Sequence, residues 1–378
     1  MKKLAPLFSL LVFFSCGEKD EKASGNSEFA LSYTIDTVQV DPGDHLVYVT
    51  GYMNTATPSL DKKVLYNLNP KSPELEIIDL DALAFQESIP LEKEGPEGIG
   101  NYVSDLVVTD LGDFFFIGYE SLVKSNPGLD QFKRFSFQAD KLSGDKLDEN
   151  EGIDFGAIPS KDGNYFFGTY SVQMFQGKIG GLAVVDLNEM SLKKIPIPEL
   201  ENLVDFNINQ YQDGRPMMST IERIWLNEVN GKLYLTNSTR NEAFIYDPKL
   251  DSLFKKEFQS SITDNAKKGL YTKETNSDEE MSKAMKEKNK EVNFNELIYD
   301  DMNEKFWRVS SDMDRMIADS VVTKNILTIF DKELNQLHEE KIDFNITSML
   351  SFFKEGTLYS YINLDDEMGF TRIKPSYE

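Results

Sequence analysis

The stretch 230–258, NGKLYLTNSTRNEAFIYDPKLDSLFKKEF, consists of short alternating apolar and polar runs separated by turn signals. Asn230-Gly231 favours the positive φ angles of a tight hairpin turn. Pro248 after Asp247 ends a strand because proline has no N–H to give to a ladder. A chain punctuated in this way folds as a meander of short antiparallel strands, and the edges of each small sheet must then be covered or paired.

Versions of this meander recur along the chain. The first unit has runs at 45–50, 63–68 and 74–79, the last as its outer member; the second has runs at 102–109, 114–119, 121–124 and 131–137. The third follows at 152–158, 165–170, 181–187 and 192–197, and the fourth adds an innermost strand at 221–227 to the stretch above. A fifth lies at 296–300, 305–310, 325–331 and 337–342, and a sixth at 346–353, 357–362 and 369–373. The sixth lacks an outer strand, which 29–40 is expected to supply by pairing the two ends of the chain.

Val47, Phe115, Phe166, Tyr234, Trp307 and Leu358 mark equivalent central positions in this reading, about 50 to 75 residues apart. These intervals exceed those of common propeller repeats, as loop insertions would make them. The expected fold is all-β, a six-bladed β-propeller over 29–378. Strand counts alone leave two side-by-side sandwiches open. Between the fourth and fifth units, an insertion at about 262–292 carries Ser277-Asp278-Glu279-Glu280, with capping-box spacing, followed by good helix formers. A surface helix over 277–290 is predicted, with a thin apolar face of Met281, Ala284 and Met285.

The amino terminus reads as a processing signal. Lys2 and Lys3 precede an apolar run at 4–14 that is too short to span a bilayer, so 1–15 is read as a signal peptide. Phe13-Phe14-Ser15-Cys16 resembles a bacterial lipobox, which implies acylation of Cys16, palmitate included, and a lipidated acidic tether over 16–28. The run Gly17-Glu18-Lys19-Asp20-Glu21 resembles the signal that sends lipoproteins to the outer face of the outer membrane in Bacteroidetes-type bacteria. Cys16 is the sole cysteine, so the fold must stand without disulfides.

Forty basic against 64 acidic side chains give a net charge of −24, which repels phosphate backbones and argues against a nucleic-acid partner. The two histidines, His45 and His338, share no ligand spacing, the acidic turns lack EF-hand spacing, and no phosphate-binding glycine motif occurs. No catalytic residue, metal site or cofactor is therefore assigned. Arginine is scarce, at seven residues, so arginines and aromatics near inner-strand ends are the candidate ligand-binding set: Arg223, Trp225, Arg240, Trp307 and Arg308. Arginine supplies a fork for a carboxylate or sulfate, and an aromatic face suits a sugar ring or a cation.

The motif Glu94-Gly95-Pro96-Glu97-Gly98-Ile99-Gly100 reads as a bend that carries the chain from the first unit to the second. Together with the lipid signal and the strand units, it resembles the six-bladed propeller lipoproteins of Bacteroidetes-type bacteria, among them an uncharacterised family of unknown function. The resemblance implies a propeller on a lipid anchor and carries over no catalytic residues; the protein is separately expected to be a monomer displayed at the cell surface. The functional expectation is a non-enzymatic protein that binds a glycan, a small anion or an envelope protein through its ring mouth or inserted helix. An extracellular hydrolase or lyase acting on glycans or esters is the alternative.

Overall fold

The computed structural model describes residues 29–377 except 120, 155, 173–176, 319, 345 and 347–349. The signal peptide, Cys16 and the tether lie outside the described residues. Six antiparallel sheets follow one another along the chain. Blade 1 orders Ala56–Pro58, Val64–Asn69, Glu74–Asp79 and Ala84–Pro90, and blade 2 orders Asp105–Val108, Phe114–Ile117, Ser121–Ser125 and Phe132–Ser136. In blade 3, Glu151–Ile153 and Ile158–Pro159 share the innermost position ahead of Tyr165–Val172, Ile179–Asp186 and Ser191–Pro196. Blade 4 is Ile224–Val229, Lys232–Asn237, Glu242–Asp247 and Ser252–Glu257. In blade 5, Asn293–Phe294 and Ile298–Asp300 precede Lys305–Ile317, Ser320–Asp331 and Gln336–Ile342. Blade 6 is Ser351–Lys354, Thr357–Leu364 and Glu367–Tyr377, completed by Leu31–Gln39 from the other end of the chain.

Packing between the sheets separates a ring from layers. Phe114 and Phe116 pack with Leu68 and Ile77 of blade 1, while Phe115, on the opposite face of the same strand, packs with Phe166 and Val185 of blade 3. The same alternation links blades 3 and 4 through Phe167 and Phe244, and blades 4 and 5 through Tyr234 and Phe306. Trp307 and Leu358 link blades 5 and 6, and Phe370 and Leu65 link blade 6 back to blade 1. Each sheet is thus buried on both faces, by a different neighbour on each side. Six sheets in that cyclic order form a propeller, whereas a sandwich would leave one face of each sheet to solvent.

A recurrent aspartate ends the third strand in several blades. Asp79, Asp186, Asp247 and Asp331 each accept backbone N–H groups from the turn that follows, as from Asp81 and Ala82 at 2.7 and 2.8 Å or from Lys249 and Leu250 at 3.0 and 3.2 Å. These side chains supply the acceptors that the turn backbone lacks, so the acidic turns are structural.

Blade 1 departs from expectation. Residues 45–50 form no strand, because buried side chains take the backbone groups of Tyr48. Its N–H donates to Glu76 at 3.0 Å, and its carbonyl accepts from Asn67 Nδ2 at 2.7 Å. The innermost strand is Ala56–Pro58 instead. Leu65, in the second strand, is the counterpart of Phe115 in place of Val47, and the outer strand is Ala84–Pro90 in place of Glu74–Asp79.

The 94–100 motif does carry the chain between blades 1 and 2. Ile99 N–H bonds Glu92 O at 2.8 Å, and Arg134 clamps the loop by donating to Gly95 O at 3.0 Å and to Gly98 O. A Cβ on Gly98 would lie 2.6 Å from the backbone of Lys93 and Glu94, so only glycine fits this close approach.

Leu31–Gln39 closes the ring, and the apolar layer beneath it should carry the stability of that closure. Phe370→Ala, at a fully buried position, is expected to cost about 3–5 kcal/mol in urea unfolding. Ile35→Ala, on the closing strand but 42% exposed, should change stability by less than about 0.5 kcal/mol. Equal effects would show that packing at the junction of blades 6 and 1 does not hold the ring closed.

Candidate functional site

In a four-stranded meander, the starts of the innermost strands and the turns between second and third strands share one face of the ring. Two insertions also lie on this face. Residues 197–223, between blades 3 and 4, contain the 3-10 helix Pro198–Phe206 and a hairpin of Asn209–Gln212 with Arg215–Ser219; residues 258–292 lie between blades 4 and 5. Glu274–Thr275 pairs in parallel with the hairpin, so the two insertions join in a three-stranded sheet. The helix Asp278–Lys288 follows. Ser277 caps it by accepting from the Glu280 N–H at 3.2 Å, and Met281 and Ala284 bury their side chains against Ile208. The predicted helix and its apolar face are therefore present, and their partner is the hairpin, which carries little apolar alternation of its own.

Beside this cap, the inner-strand starts converge on a cavity of about 390 Å³ lined by Asn54 of blade 1, Asp154, Thr169 and Ser171 of blade 3, Asn207 of the first insertion, and Arg223 at the start of blade 4. The Arg223 guanidinium is exposed and lies 5.5 Å from the centre of the Tyr52 ring, itself 58% exposed. Asp154 accepts from Thr169 Oγ1 at 2.9 Å and from Ser171 Oγ. Burial pushes its carboxyl up to about 6, against the pull of those two hydroxyls. Glu296, two residues before an inner strand of blade 5, is raised by burial to about 8, with Arg223 drawing it back. Burial likewise raises Asp105, at the inner edge of blade 2. Asn207 is 7% exposed, and its Oδ1 has no hydrogen-bond partner among the described residues. The cavity thus brings together the exposed guanidinium of Arg223, the Asn207 amide and the raised carboxyl of Asp154, with Glu222 also in its wall. Among the described residues, no group of three or more His, Cys, Asp or Glu side chains comes together to hold a metal ion.

The model of a family described as a domain of unknown function, DUF4221, matches residues 27–341. The chain belongs to this family. Among solved structures it is similar to a DUF4221 member from Bacteroides vulgatus, at 14% identity and a TM-score of 0.64, covering 93% of this chain and 99% of that one. It is also similar to a Bacteroides fragilis protein described as exported, at 9% identity and a TM-score of 0.51, covering 92% and 95%. At these identities the likeness extends to the fold. No curated protein matches the chain.

Within this DUF4221 propeller, the five residues singled out from sequence separate. Arg223 stands in the mouth. Trp225 pairs with Thr236 and is half-buried on the strand face opposite Ile224 and Leu226, which pack toward blade 3, so it is turned toward blade 5. Arg240 lies in the turn between the second and third strands, where its backbone bridges Ala266 of the second insertion, and it does not line the mouth cavity.

Trp307 and Arg308 are corrections. Trp307 is fully buried, donates from Nε1 to the Tyr377 hydroxyl at 2.9 Å, and packs edge-on against Phe353. Arg308 is 2% exposed, set among the rings of Phe258, Phe294 and Phe330 at 5.1–5.3 Å, and donates to Asn241 Oδ1. Burial pushes its guanidinium down to about 9. Alternation along Lys305–Ile317 sends these two side chains into opposite inter-blade layers, out of reach of a ligand in the mouth. His45 is likewise tied up, 2.9 Å from Glu76 and stacked on Phe85. Tyr52, Asn54, Asp154, Asn207 and Glu296 were not singled out. The one signal that marks most of them is a polar residue just before an innermost strand, in register with Arg223.

Next to Arg223, Glu222 anchors the cap. It is 8% exposed and pairs with Lys267 at 2.6 Å and with Lys288, at the end of the cap helix, at 2.7 Å. Burial alone would raise this carboxyl, but the two ammoniums outweigh it and hold the group below its ordinary value. Its contribution to stability is therefore present above the ordinary carboxylate range and is lost as pH falls through the folded value. Glu222→Gln, which leaves two buried lysines uncompensated, is expected to cost about 3–5 kcal/mol at pH 7. The gap to wild type should narrow below about pH 4 when melting temperatures are followed across pH. A constant gap would exclude the ion triad as its source.

Asp154 has the opposite sign. Its raised carboxyl makes ionisation unfavourable in the folded state, so stability is highest below the ordinary range and declines as pH rises through about 6. Asp154→Asn is expected to gain about 1–2 kcal/mol at pH 7.5 and nothing near pH 4, read by the same melts.

Proposed function

We propose that the protein is a lipid-anchored, surface-displayed binding protein whose mouth captures an acid-bearing polar ligand of the uronic-acid type from extracellular glycans. The observation that carries this reading is Arg223, which makes no ion pair at hydrogen-bonding distance among the described residues, lies against Tyr52, and lines the same cavity as Asn207, whose buried Oδ1 has no partner among the described residues. A guanidinium fork matches a carboxylate, an aromatic face matches the apolar side of a sugar ring, and an amide oxygen takes a sugar hydroxyl. Glu296, raised to about 8, tends to stay neutral near this cation and so cancels less of its charge in a protein of net charge −24. Sodium glucuronate titrated calorimetrically into the protein is the direct test. Arg223→Ala is expected to weaken binding at least about tenfold, the worth of one charge-assisted contact. Indifference of the affinity to Arg223 would remove the basis for this reading.

One observation favours catalysis as a second reading. Asp154, raised to about 6, lines the cavity with Arg223, and Glu296, raised to about 8, feels the charge of the same arginine, which is the kind of separation in proton affinity that acid–base chemistry uses. Turnover of uronate glycosides or esters that is lost in both Asp154→Asn and Glu296→Gln would move the protein into that class.

The anchor is tested separately. Cys16→Ala should shift the protein from the membrane to the soluble fraction, and protease added to intact cells should degrade the wild type. Membrane retention of the variant would exclude lipidation at Cys16.

A further inference from the structure

A second cavity of about 170 Å³ opens between blades 2 and 3 on the same face. One wall of it is aromatic and aliphatic, and Glu151 and Asp154 also line it. Phe137 and Phe166 stack with centroids 4.6 Å apart and planes 9° from parallel, and Ile117, Ile153 and Leu147 face them across the slot. Asp154 and Gly156 line both cavities. Gly156 adopts φ +81°, and no atom of the described residues other than its chain neighbours lies within 4 Å of the position its Cβ would take. The Asp154 carboxyl, steadied by Thr169 and Ser171, stands as a hydrogen-bonding group where the two cavities meet.

We infer that slot and mouth form one site for an amphipathic ligand: an acid-bearing sugar at Arg223 joined to an apolar, ring-sized substituent lodged between blades 2 and 3. The inference rests on the mouth reading above and adds the substituent. The slot is close in size to cavities of about 150 Å³ that accept a benzene ring, and the mouth falls within the usual range for small-ligand pockets. Asp154 would meet the linkage between the two parts, where a glycosidic oxygen or a neighbouring hydroxyl lies.

The test compares sodium glucuronate with 4-methylumbelliferyl β-D-glucuronide, the same acid carrying an aromatic substituent, by calorimetry on the mature protein. The aryl glucuronide is expected to bind at least about tenfold more tightly, from the apolar area it buries. Leu147→Asp, in a loop outside the blade strands, places a charge in the slot and should bring the affinities of the two compounds together. Arg223→Ala should weaken both ligands. Equal affinities in the wild type, or an advantage that survives Leu147→Asp, overturn the inference; Arg223-dependent glucuronate binding would then leave the mouth reading standing. Failure of both compounds to bind overturns both. Unchanged melting temperatures of the two variants exclude unfolding as the cause of any loss.

Discussion

The pairing of Leu31–Gln39 with Glu367–Tyr377 is the constraint on which the rest of the molecule depends. It supplies the outer strand that blade 6 lacks, and it draws Val38 and Val40 into the apolar layer between blades 6 and 1. Without it, the sixth interface would lose this long antiparallel ladder and keep side-chain links such as the ion pair of Lys354 with Asp81. The inner strands could then splay. The mouth exists because they do not: Asn54, Asp154 and Arg223 come from blades 1, 3 and 4 and share one cavity only because the sheets close on themselves.

Much of the fold was legible because its signals are local. Alternation and turn residues located the strands of blades 2 to 6, although the central hairpin of blade 5 runs on to Ile317 and Ser320 beyond the runs at 305–310 and 325–331, and Ser277 with its acidic first turn located the cap helix. Blade 1 was harder. Residues 45–50 alternate like a strand, yet their backbone is held by the side chains of Glu76 and Asn67, a long-range substitution that no local pattern announces. The outer strand Ala84–Pro90 has a register shift opposite Ile77 and Ile78, which blurs its period of two. The hairpin of the first insertion has exposed faces on Arg215–Ser219 and takes much of its order from the neighbouring helix.

The site was less legible than the fold. Arg223 could be found because arginine is scarce, but scarcity also pointed to Arg308, whose burial among three phenylalanines makes it part of the layer between blades 4 and 5. Asp154 and Glu296 are ordinary residues in a chain with 64 acids. What distinguishes them is convergence and desolvation, which arise only once blades 3, 4 and 5 stand side by side. Glu222 shows the same dependence on assembly. Its neighbours Lys267 and Lys288 are distant in sequence, and their charges are compatible with burial only when all three side chains meet.

The closing strand also sets a timetable. Leu31 pairs with Tyr377, so a strand near the start of the described residues finds its partner only near their end. Every blade between them presents two apolar faces, as Phe114, Phe115 and Phe116 show, so no blade can bury its surface before its neighbours arrive. Such a chain gains little from folding while it emerges. Its native state depends on a late, long-range pairing, and a chain whose apolar faces stay uncovered until then is exposed to aggregation.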